Sequence, residues 1–400
     1  MKKLLNYYLL LSAFIVLPGL AQAVNGYTIT GNIRGVIDGK KAYLFFDSKL
    51  QNPLDSAQIK NGYFKFQGSV TNPHLYNIVI SEAGNRRGIY PAISLFVENS
   101  SIIITADIDS IPTSDLLKEG TYPYNKIKIT GSKSQELFLK YFNDNSALKK
   151  KITEANRIYL AYLKSRQGTL KKNIDEGIQA IIPIDFAREE RLRYIKNFIK
   201  DNKQNAVSLA VVQMNLNYFS AKEIDTLLSN ISEKLKDSQD GLYLIKDAAM
   251  VERTAIGSGY VDFSFLDKDN NNITLSDYLG KGKYVLLEFW ASWCGPCIKD
   301  LPHLKEIYKL YHPLNFEIIQ ISMDDNRVKW LRAVEDQQME WLQVSDLKAF
   351  NGALSKLYNF DSIPTSILIN PNGVIVTRNM RGSWMDKILI ELYGNKFVDK

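Results

Sequence analysis

Hydrophobic and polar residues alternate with a period of two through the first third of the chain. Short runs rich in β-branched and aromatic residues, such as YTITGNI, AYLFF, LYNIVI and IIITADI, are separated by Asp-Gly, Asn-Gly and Asn-Pro turns. This alternation is typical of antiparallel strands that bury one face. Residues 24–132 are therefore predicted to form an antiparallel β domain, and no catalytic cluster stands out within it.

The hydrophobic spacing changes to three and four residues in the middle of the chain. Segments such as ELFLKYFNDNSALKKKITEANRIYLAYLKS and AREERLRYIKNFIKDN have apolar residues at that spacing, with Lys and Glu between them. This is the period of helices that pack one face against a neighbour. Residues 133–256 are predicted to be helical, with a loose joint at residues 257–259.

Predicted strands and helices alternate in the last part of the chain, residues 257–400. FSFLD and NNITL predict a hairpin, YVLLEFWA and FEIIQISM are apolar runs typical of buried strands, and a helical pattern follows each run. TSILINP and GVIVTRN predict a second hairpin about an Asn-Gly turn, and WMDKILIELYG predicts a last helix. The fold class is thus multi-domain α+β, with a C-terminal α/β domain built on a central mixed sheet.

The first 23 residues, MKKLLNYYLLLSAFIVLPGLAQA, have the pattern of an export signal. Lys2 and Lys3 precede an apolar run that is short for a membrane span, and the final AQA matches the small-x-small sites of signal peptidases. A signal peptide at residues 1–23 is predicted, with an uncleaved anchor as the alternative. The mature protein is then expected to be soluble in the periplasm or cell envelope.

Charge and cysteine content narrow the possible functions. The formal net charge of +7 over 400 residues is mild, and no basic block is interleaved with aromatic residues, so nucleic-acid binding is not supported. The only two cysteines, Cys294 and Cys297, lie in VLLEFWASWCGPCIKD. A disulfide that closes so short a loop constrains the unfolded chain very little. The two cysteines are therefore better suited to forming and breaking a disulfide reversibly than to stabilising the fold.

The predicted strand and helix around the cysteines indicate how the pair reacts. Cys294 precedes the helix, where unpaired amides and the helix dipole favour a thiolate and lower a thiol pKa from about 8.5 toward about 7 or below. Cys297 lies one turn further along and is expected to be more buried. It can attack a mixed disulfide formed on Cys294, and the opposite order of attack is the alternative.

Residues 260–395 resemble the thioredoxin superfamily, and within it the TlpA/ResA-like exported thiol-disulfide oxidoreductases. The motifs that support this resemblance follow one another in the expected order: the leading hairpin, Glu288-Phe289-Trp290, CGPC, Pro302 in the following helix, and Ile363-Pro364-Thr365. A long segment before Pro364 is similar to the extra strand–helix insertion of TlpA-like proteins. The β domain is similar to the DUF4369-type domains found ahead of such modules, on patterns such as GNIRGVIDGKKAYL and KNGYFKFQG.

The resemblance implies a catalytic site made of the redox-active Cys294–Cys297 disulfide, Glu288 and Pro364. An acid amid VLL and FW is expected to be buried with a raised pKa, and the family has a functional acid at this position. Glu288 is therefore the predicted proton acceptor for Cys297, and a solvent-facing acid at a strand edge is the alternative. Metal binding is not predicted, because a closed zinc site needs four ligands and His303 is the only histidine nearby. No cofactor is predicted.

The predicted substrate-binding residues are Trp293, Ile363 and Thr365. The resemblance implies that the Ile363–Pro364 bond is cis and faces the dithiol, with an ordinary trans turn proline as the alternative. The exposed backbone of Ile363 would then pair with an extended substrate segment. Trp293 is expected at the exposed rim of the dithiol and Trp290 beneath it, and mere packing is the alternative for both.

The predicted function is an exported thiol-disulfide oxidoreductase that reduces protein disulfides. CGPC and the Ile before Pro364 resemble reducing thioredoxins more than strong oxidants. The predicted partners are protein disulfides or dithiols, and the family implies a membrane thiol electron donor of the DsbD or CcdA type. The alternatives are a dithiol oxidase or isomerase, and an envelope scaffold protein in which the thiol module is ancillary.

Overall fold

A computed structural model describes residues 26–36, 38–46, 50, 52–82, 89–114, 126–165 and 170–397. The predicted signal peptide, residues 1–23, lies outside the described residues. Within the described ranges, no helix is both long enough and apolar enough to cross a membrane.

Two four-stranded sheets form the first part of the described chain. Their strands are β1 (Tyr27–Arg34), β2 (Lys40–Phe45), β3 (Asp55–Gln58), β4 (Tyr63–Gly68), β5 (His74–Glu82), β6 (Ala92–Val97), β7 (Ser101–Asp107) and β8 (Lys128–Thr130). The sheet orders are β4-β1-β7-β8 and β3-β2-β5-β6. The strand pairs are antiparallel, as predicted, except that β1 and β7 are parallel. Hydrophobic alternation indicates which face of a strand is buried, so it cannot distinguish parallel from antiparallel pairing.

Helices make up the middle of the chain, as predicted. They are α1 (Lys133–Ser165), α2 (Leu170–Asp201), α3 (Val207–Gln213), α4 (Ala221–Ser229), α5 (Glu233–Lys236) and α6 (Gln239–Glu252). We call the antiparallel pair α1 and α2 the helical arm. Phe138 and Phe198 of the arm belong to the hydrophobic core shared with the β sheets, whereas Ile174 belongs to the core of the C-terminal domain. The arm therefore connects the two cores.

The C-terminal domain is a seven-stranded mixed sheet with helices, which confirms the predicted fold. Its strands and helices are β9 (Ser264–Asp267), β10 (Asn272–Thr274), β11 (Tyr284–Trp290), α7 (Gly295–Tyr311), β12 (Phe316–Ser322), α8 (Arg327–Asp336), β13 (Leu342–Ser345), α9 (Leu354–Leu357), β14 (Thr365–Ile369), β15 (Ile375–Arg378) and α10 (Ser383–Tyr393). The sheet order is β10-β9-β13-β12-β11-β14-β15. β11 is parallel to β12 and antiparallel to β14, so it is an inner strand, and all of its side chains except that of Tyr284 are buried.

The loose joint expected at residues 257–259 is instead bonded to the sheet, so that prediction is wrong. The Gly257 amide donates to the Ile375 carbonyl at 2.8 Å, and the Ile375 amide donates to the Ser258 carbonyl at 2.8 Å. Gly257 has a φ of +93°, a conformation that glycine adopts without steric cost. Glycine is needed here for the shape of the turn and not for mobility.

Candidate active site

The two cysteines form a disulfide at the first turn of α7. Cys294 is the residue before the helix, and its sulfur accepts a hydrogen bond from the Cys297 amide at 3.3 Å. That amide belongs to the first turn of the helix, where amides have no partner within the helix. Pro296 also lies in this turn, where a missing amide hydrogen costs nothing. The expected contact between Cys294 and the helix amides is present.

The burial of the two sulfurs differs from the expectation. Cys294 is 4% exposed and Cys297 is 3% exposed, so Cys297 is not markedly more buried in the disulfide form. Trp293 is 59% exposed directly before Cys294, whereas Trp290 is fully buried in the core.

Glu288 lies on β11 and is 2% exposed, so the alternative of a solvent-facing acid is excluded. Its Oε2 atom has no hydrogen-bond partner among the described residues. Burial raises the pKa of Glu288 well above its ordinary value, the charge of Asp300 raises it further, and the charge of Arg381 opposes the rise. Asp300 lies one turn after Cys297 on α7. The Glu288 carboxyl is therefore influenced by a charge on the helix that contains Cys297.

The sheet register places the loop before β14 next to the end of β11, the strand that precedes the cysteines. Thr365 pairs with Phe289, so Ile363 and Pro364 lie next to the end of β11, where the chain turns toward Cys294. The Ile363–Pro364 bond is cis, as the resemblance implies. No described residue hydrogen-bonds to the backbone of Ile363.

Thr365 is 5% exposed, and its hydroxyl donates to the Ser362 carbonyl at 2.8 Å. Its side chain therefore holds the loop in shape and is not presented to solvent.

Two further polar contacts at the site were not predicted from the sequence. Asp324, after β12, accepts bonds from the Ser292 amide at 2.9 Å and the Ser292 hydroxyl at 2.6 Å, which fixes the loop before Cys294. Arg381, before α10, donates to Asp300 at 2.9 Å and to the Pro296 carbonyl at 3.1 Å. An acid directly after an apolar strand is the one local signal that could have indicated Asp324. No local signal indicates Arg381, because its partners lie more than 80 residues away in the chain.

His303 is part of an ion pair within the fold. Its Nε2 lies 2.7 Å from Oδ1 of Asp386, at the start of α10. Burial lowers the pKa of His303, but the hydrogen bond and charge of Asp386 outweigh burial, and the pKa lies above its ordinary value. In the part of the chain that the structure describes, no group of three or more His, Cys, Asp or Glu residues could hold a metal ion.

Comparison with known families agrees with this architecture. Residues 27–138 match a domain of unknown function, DUF4369, and residues 256–378 match the AhpC/TSA family. Residues of the chain are 31% identical over 125 positions to the thiol-disulfide oxidoreductase ResA of Bacillus thuringiensis, which covers 31% of this chain and 69% of that protein. They are 31% identical over 135 positions to ResA of Geobacillus kaustophilus, which covers 33% of this chain and 75% of that protein.

The chain belongs to the ResA-like thiol-disulfide oxidoreductases. Among solved structures, it resembles the thioredoxin domain of a thiol-disulfide oxidoreductase from Bacteroides vulgatus at 30% identity, which covers 34% of this chain and 97% of that chain, with a TM-score of 0.33. A thiol-disulfide oxidoreductase from Bacteroides fragilis is 32% identical over 34% of this chain and 99% of its own, with a TM-score of 0.32. The family match of residues 27–138 and the ResA relatives confirm the resemblances to DUF4369 and to ResA. This ResA-like protein is an enzyme of thiol-disulfide exchange, and its family implies protein substrates.

Proposed function

We propose that this ResA-like enzyme transfers two electrons from a Cys294/Cys297 dithiol to the disulfides of other proteins. The observation that supports this most directly is the hydrogen bond from the Cys297 amide to the Cys294 sulfur at the start of α7. An amide that donates to sulfur stabilises a thiolate more than a thiol, and the positive end of the helix dipole acts in the same direction. Cys294 is therefore the attacking thiolate.

The exchange takes place in two displacement steps. The Cys294 thiolate attacks one sulfur of a substrate disulfide, which forms a mixed disulfide and releases the first substrate thiolate. Cys297 then loses its proton and attacks the Cys294 sulfur, which forms the Cys294–Cys297 disulfide and releases the second substrate thiolate. The enzyme dithiol is oxidised by two electrons, the substrate disulfide is reduced by two, and the substrate thiolates take up two protons.

Glu288 is the proposed acceptor of the Cys297 proton. Burial raises the pKa of the Glu288 carboxyl well above its ordinary value, so this group holds a proton more readily than an exposed carboxyl does. In the return reaction a donor thiolate attacks Cys294, and Cys297 leaves as a thiolate. A protonated Glu288 then supplies the proton that stabilises this leaving group.

Substrate recognition is proposed at the rim formed by Trp293 and Ile363. Trp293 is an exposed aromatic side chain directly before the attacking cysteine. The backbone of Ile363 has no hydrogen-bond partner among the described residues, so it can pair with an extended substrate segment. Thr365 and Pro364 hold this loop beside the dithiol. Recognition of this kind uses backbone groups and makes little demand on substrate sequence.

We also propose that the enzyme is exported and works as a reductant in the cell envelope. The signal-like residues 1–23 support export, and the Gly-Pro pair of CGPC, with Ile363 before Pro364, supports the reducing direction. A reductant in an oxidising compartment has to be reduced again after each cycle. A membrane thiol donor of the DsbD or CcdA type would supply those electrons.

Trapping of the mixed disulfide tests this proposal. The Cys297→Ser variant lacks the resolving thiol, so it should accumulate disulfide-linked adducts with a protein that contains an accessible disulfide, such as insulin. Adducts are measured on non-reducing gels and should disappear with dithiothreitol. The Cys294→Ser variant is the matched control and should form at least tenfold fewer adducts. Equal trapping by both variants, or none by either, would contradict the assignment of Cys294 as the nucleophile.

A further inference from the structure

Residues 381–387, which we call the bridging segment, hold the dithiol helix at two places. At its first residue, the Arg381 guanidinium donates to Asp300 at 2.9 Å and to the Pro296 carbonyl at 3.1 Å. Near its end, Asp386 pairs with His303 at 2.7 Å. Pro296 lies between the two cysteines, so the Arg381 contact reaches the first turn of α7, where the exchange takes place.

The opposite side of the bridging segment is held by the helical arm. The Tyr159 hydroxyl of α1 accepts a hydrogen bond from the Ser383 amide at 3.2 Å and donates to the Ser383 hydroxyl at 3.0 Å. Gly382 is the cap residue of α10 and has no side chain to satisfy the first amides of that helix. Tyr159 therefore provides the missing cap from another part of the chain.

A second contact between the arm and the bridging segment surrounds Trp384. The indole nitrogen of Trp384 donates to Asp185 of α2 at 2.7 Å, and Lys387 lies 3.4 Å from the same carboxylate. The Arg188 guanidinium lies 4.7 Å from the centre of the Trp384 ring, within the range of a cation–π interaction. The arm thus contacts the bridging segment through the Asp185 carboxylate, the Tyr159 hydroxyl and the Arg188 guanidinium.

The two surfaces fit closely, with a glycine at the contact on each side. A Cβ atom on Gly177 of α2 would lie 2.3 Å from the Ser383 hydroxyl, and one on Gly382 would lie 2.9 Å from the Tyr159 hydroxyl. Tyr159 and Ser383 are each 5% exposed. Hydrogen bonds at such a dry contact are costly to break, because each group would be left buried and unpaired. The arm and the bridging segment therefore have one defined arrangement.

We infer that Arg381 is a positioning residue for thiol-disulfide exchange and that the helical arm holds it in place through Tyr159 and Ser383. This inference rests on the proposed exchange at Cys294 and Cys297. Arg381 fixes the Pro296 carbonyl in the turn that contains both sulfurs, and with Asp300 it determines the charge near Glu288. A surface on a separate part of the chain would in this way control proton transfer at the dithiol.

The inference can be tested because the two charges near Glu288 shift its pKa in opposite directions. Asp300 on α7 and Arg381 before α10 act on Glu288 in opposite directions, and its neighbours on the adjacent strands, Gln320 and Ser366, are uncharged. Arg381→Gln removes the positive charge and should move the titration of Glu288 to higher pH. Asp300→Asn removes the negative charge and should move it to lower pH. A merely structural role would not produce shifts of opposite sign.

The assay follows the reduction of the oxidised full-length protein by dithiothreitol, with the rate corrected for the concentration of dithiothreitol thiolate at each pH. The corrected rate should fall where Glu288 loses its proton, with midpoints about one pH unit above wild type for Arg381→Gln and about one unit below for Asp300→Asn. Arg381→Lys keeps the positive charge, so its midpoint should lie close to that of wild type. Arg332→Gln, at an exposed ion pair on α8, is the matched control and should leave the midpoint unchanged.

The role of the arm is tested by removing single tyrosine hydroxyls. Tyr159→Phe removes the cap of α10 and should shift the midpoint in the same direction as Arg381→Gln, so the corrected rate at the wild-type midpoint should rise by up to about twofold. Tyr162→Phe removes a hydroxyl that bonds to the Asn173 carbonyl within the arm, and its profile should match that of wild type. A wild-type profile for Tyr159→Phe would overturn the role of the arm.

Unchanged midpoints for Arg381→Gln and Asp300→Asn would overturn the inference. Failure of the wild-type protein to exchange thiols with dithiothreitol would instead overturn the proposed function itself.

Discussion

Replacing Glu288 by Gln should make the stability of the C-terminal domain less dependent on pH. The carboxyl is 2% exposed on the central strand, and its Oε2 atom has no partner among the described residues. Burial, reinforced by Asp300, raises its pKa above the ordinary 4.5, and Arg381 opposes this rise only in part. Gln has almost the same shape and cannot ionise, so the substitution removes the titration and keeps the packing.

The sign of the effect follows from proton linkage. In the interval between the ordinary and the raised pKa, the folded wild-type protein keeps its proton on Glu288 while the unfolded chain loses it. The stability contributed by this proton is present below pH 4.5 and is lost as the pH rises through the raised pKa. The free energy of unfolding of wild type should fall by about 1.4 kcal/mol per pH unit across that interval, relative to the Gln variant.

Urea unfolding at a series of pH values, followed by tryptophan fluorescence, measures this difference. All five tryptophans lie in the C-terminal domain, so the signal reports on the domain that contains Glu288. Glu317→Gln is the control, because Glu317 is also a buried strand acid but has Lys283 and His312 as ion-pair partners. That variant keeps Glu288, so its free energy of unfolding should fall with rising pH as that of wild type does. If wild type and Glu288→Gln keep a constant difference in unfolding free energy from pH 4 to pH 8, the reasoning about the buried carboxyl is refuted.

Two further predictions concern the contacts of the bridging segment. Gly177→Ala should destabilise the folded protein by about 1–3 kcal/mol in urea unfolding, because the new Cβ would lie 2.3 Å from a hydroxyl of α10. Gly259→Ala, whose Cβ would meet nothing within 4 Å, should stay close to wild type, and equal losses for both would contradict the fit of the arm. Asp386→Asn should lower the pKa of His303, because burial is then no longer outweighed by a negative partner. Proton NMR of the three histidines measures that titration, and an unchanged His303 would contradict the ion pair.

Much of the fold was predictable because its signals are local. The apolar runs of β11 and β12, the helix opened by CGPC and the hairpin of β14 and β15 depend on residues close together in the chain, and the structure confirms each of them. The polar strand β3 was missed because DSAQ has no hydrophobic alternation, and its residues are mostly exposed at a sheet edge. The parallel pairing of β1 and β7 was missed because either pairing buries the same faces.

The amino-acid sequence by itself determined that this protein has a pair of cysteines at the start of a helix after a buried strand. That conclusion requires only residues 285–300, since hydrogen bonding at a helix end is decided within one turn. Tertiary structure alone decided which charges lie near Glu288 and what holds them there. Asp300 and Arg381 are separated by 81 residues, and Tyr159 and Ser383 by 224, so the electrostatics of the dithiol depend on contacts that only the folded chain brings together.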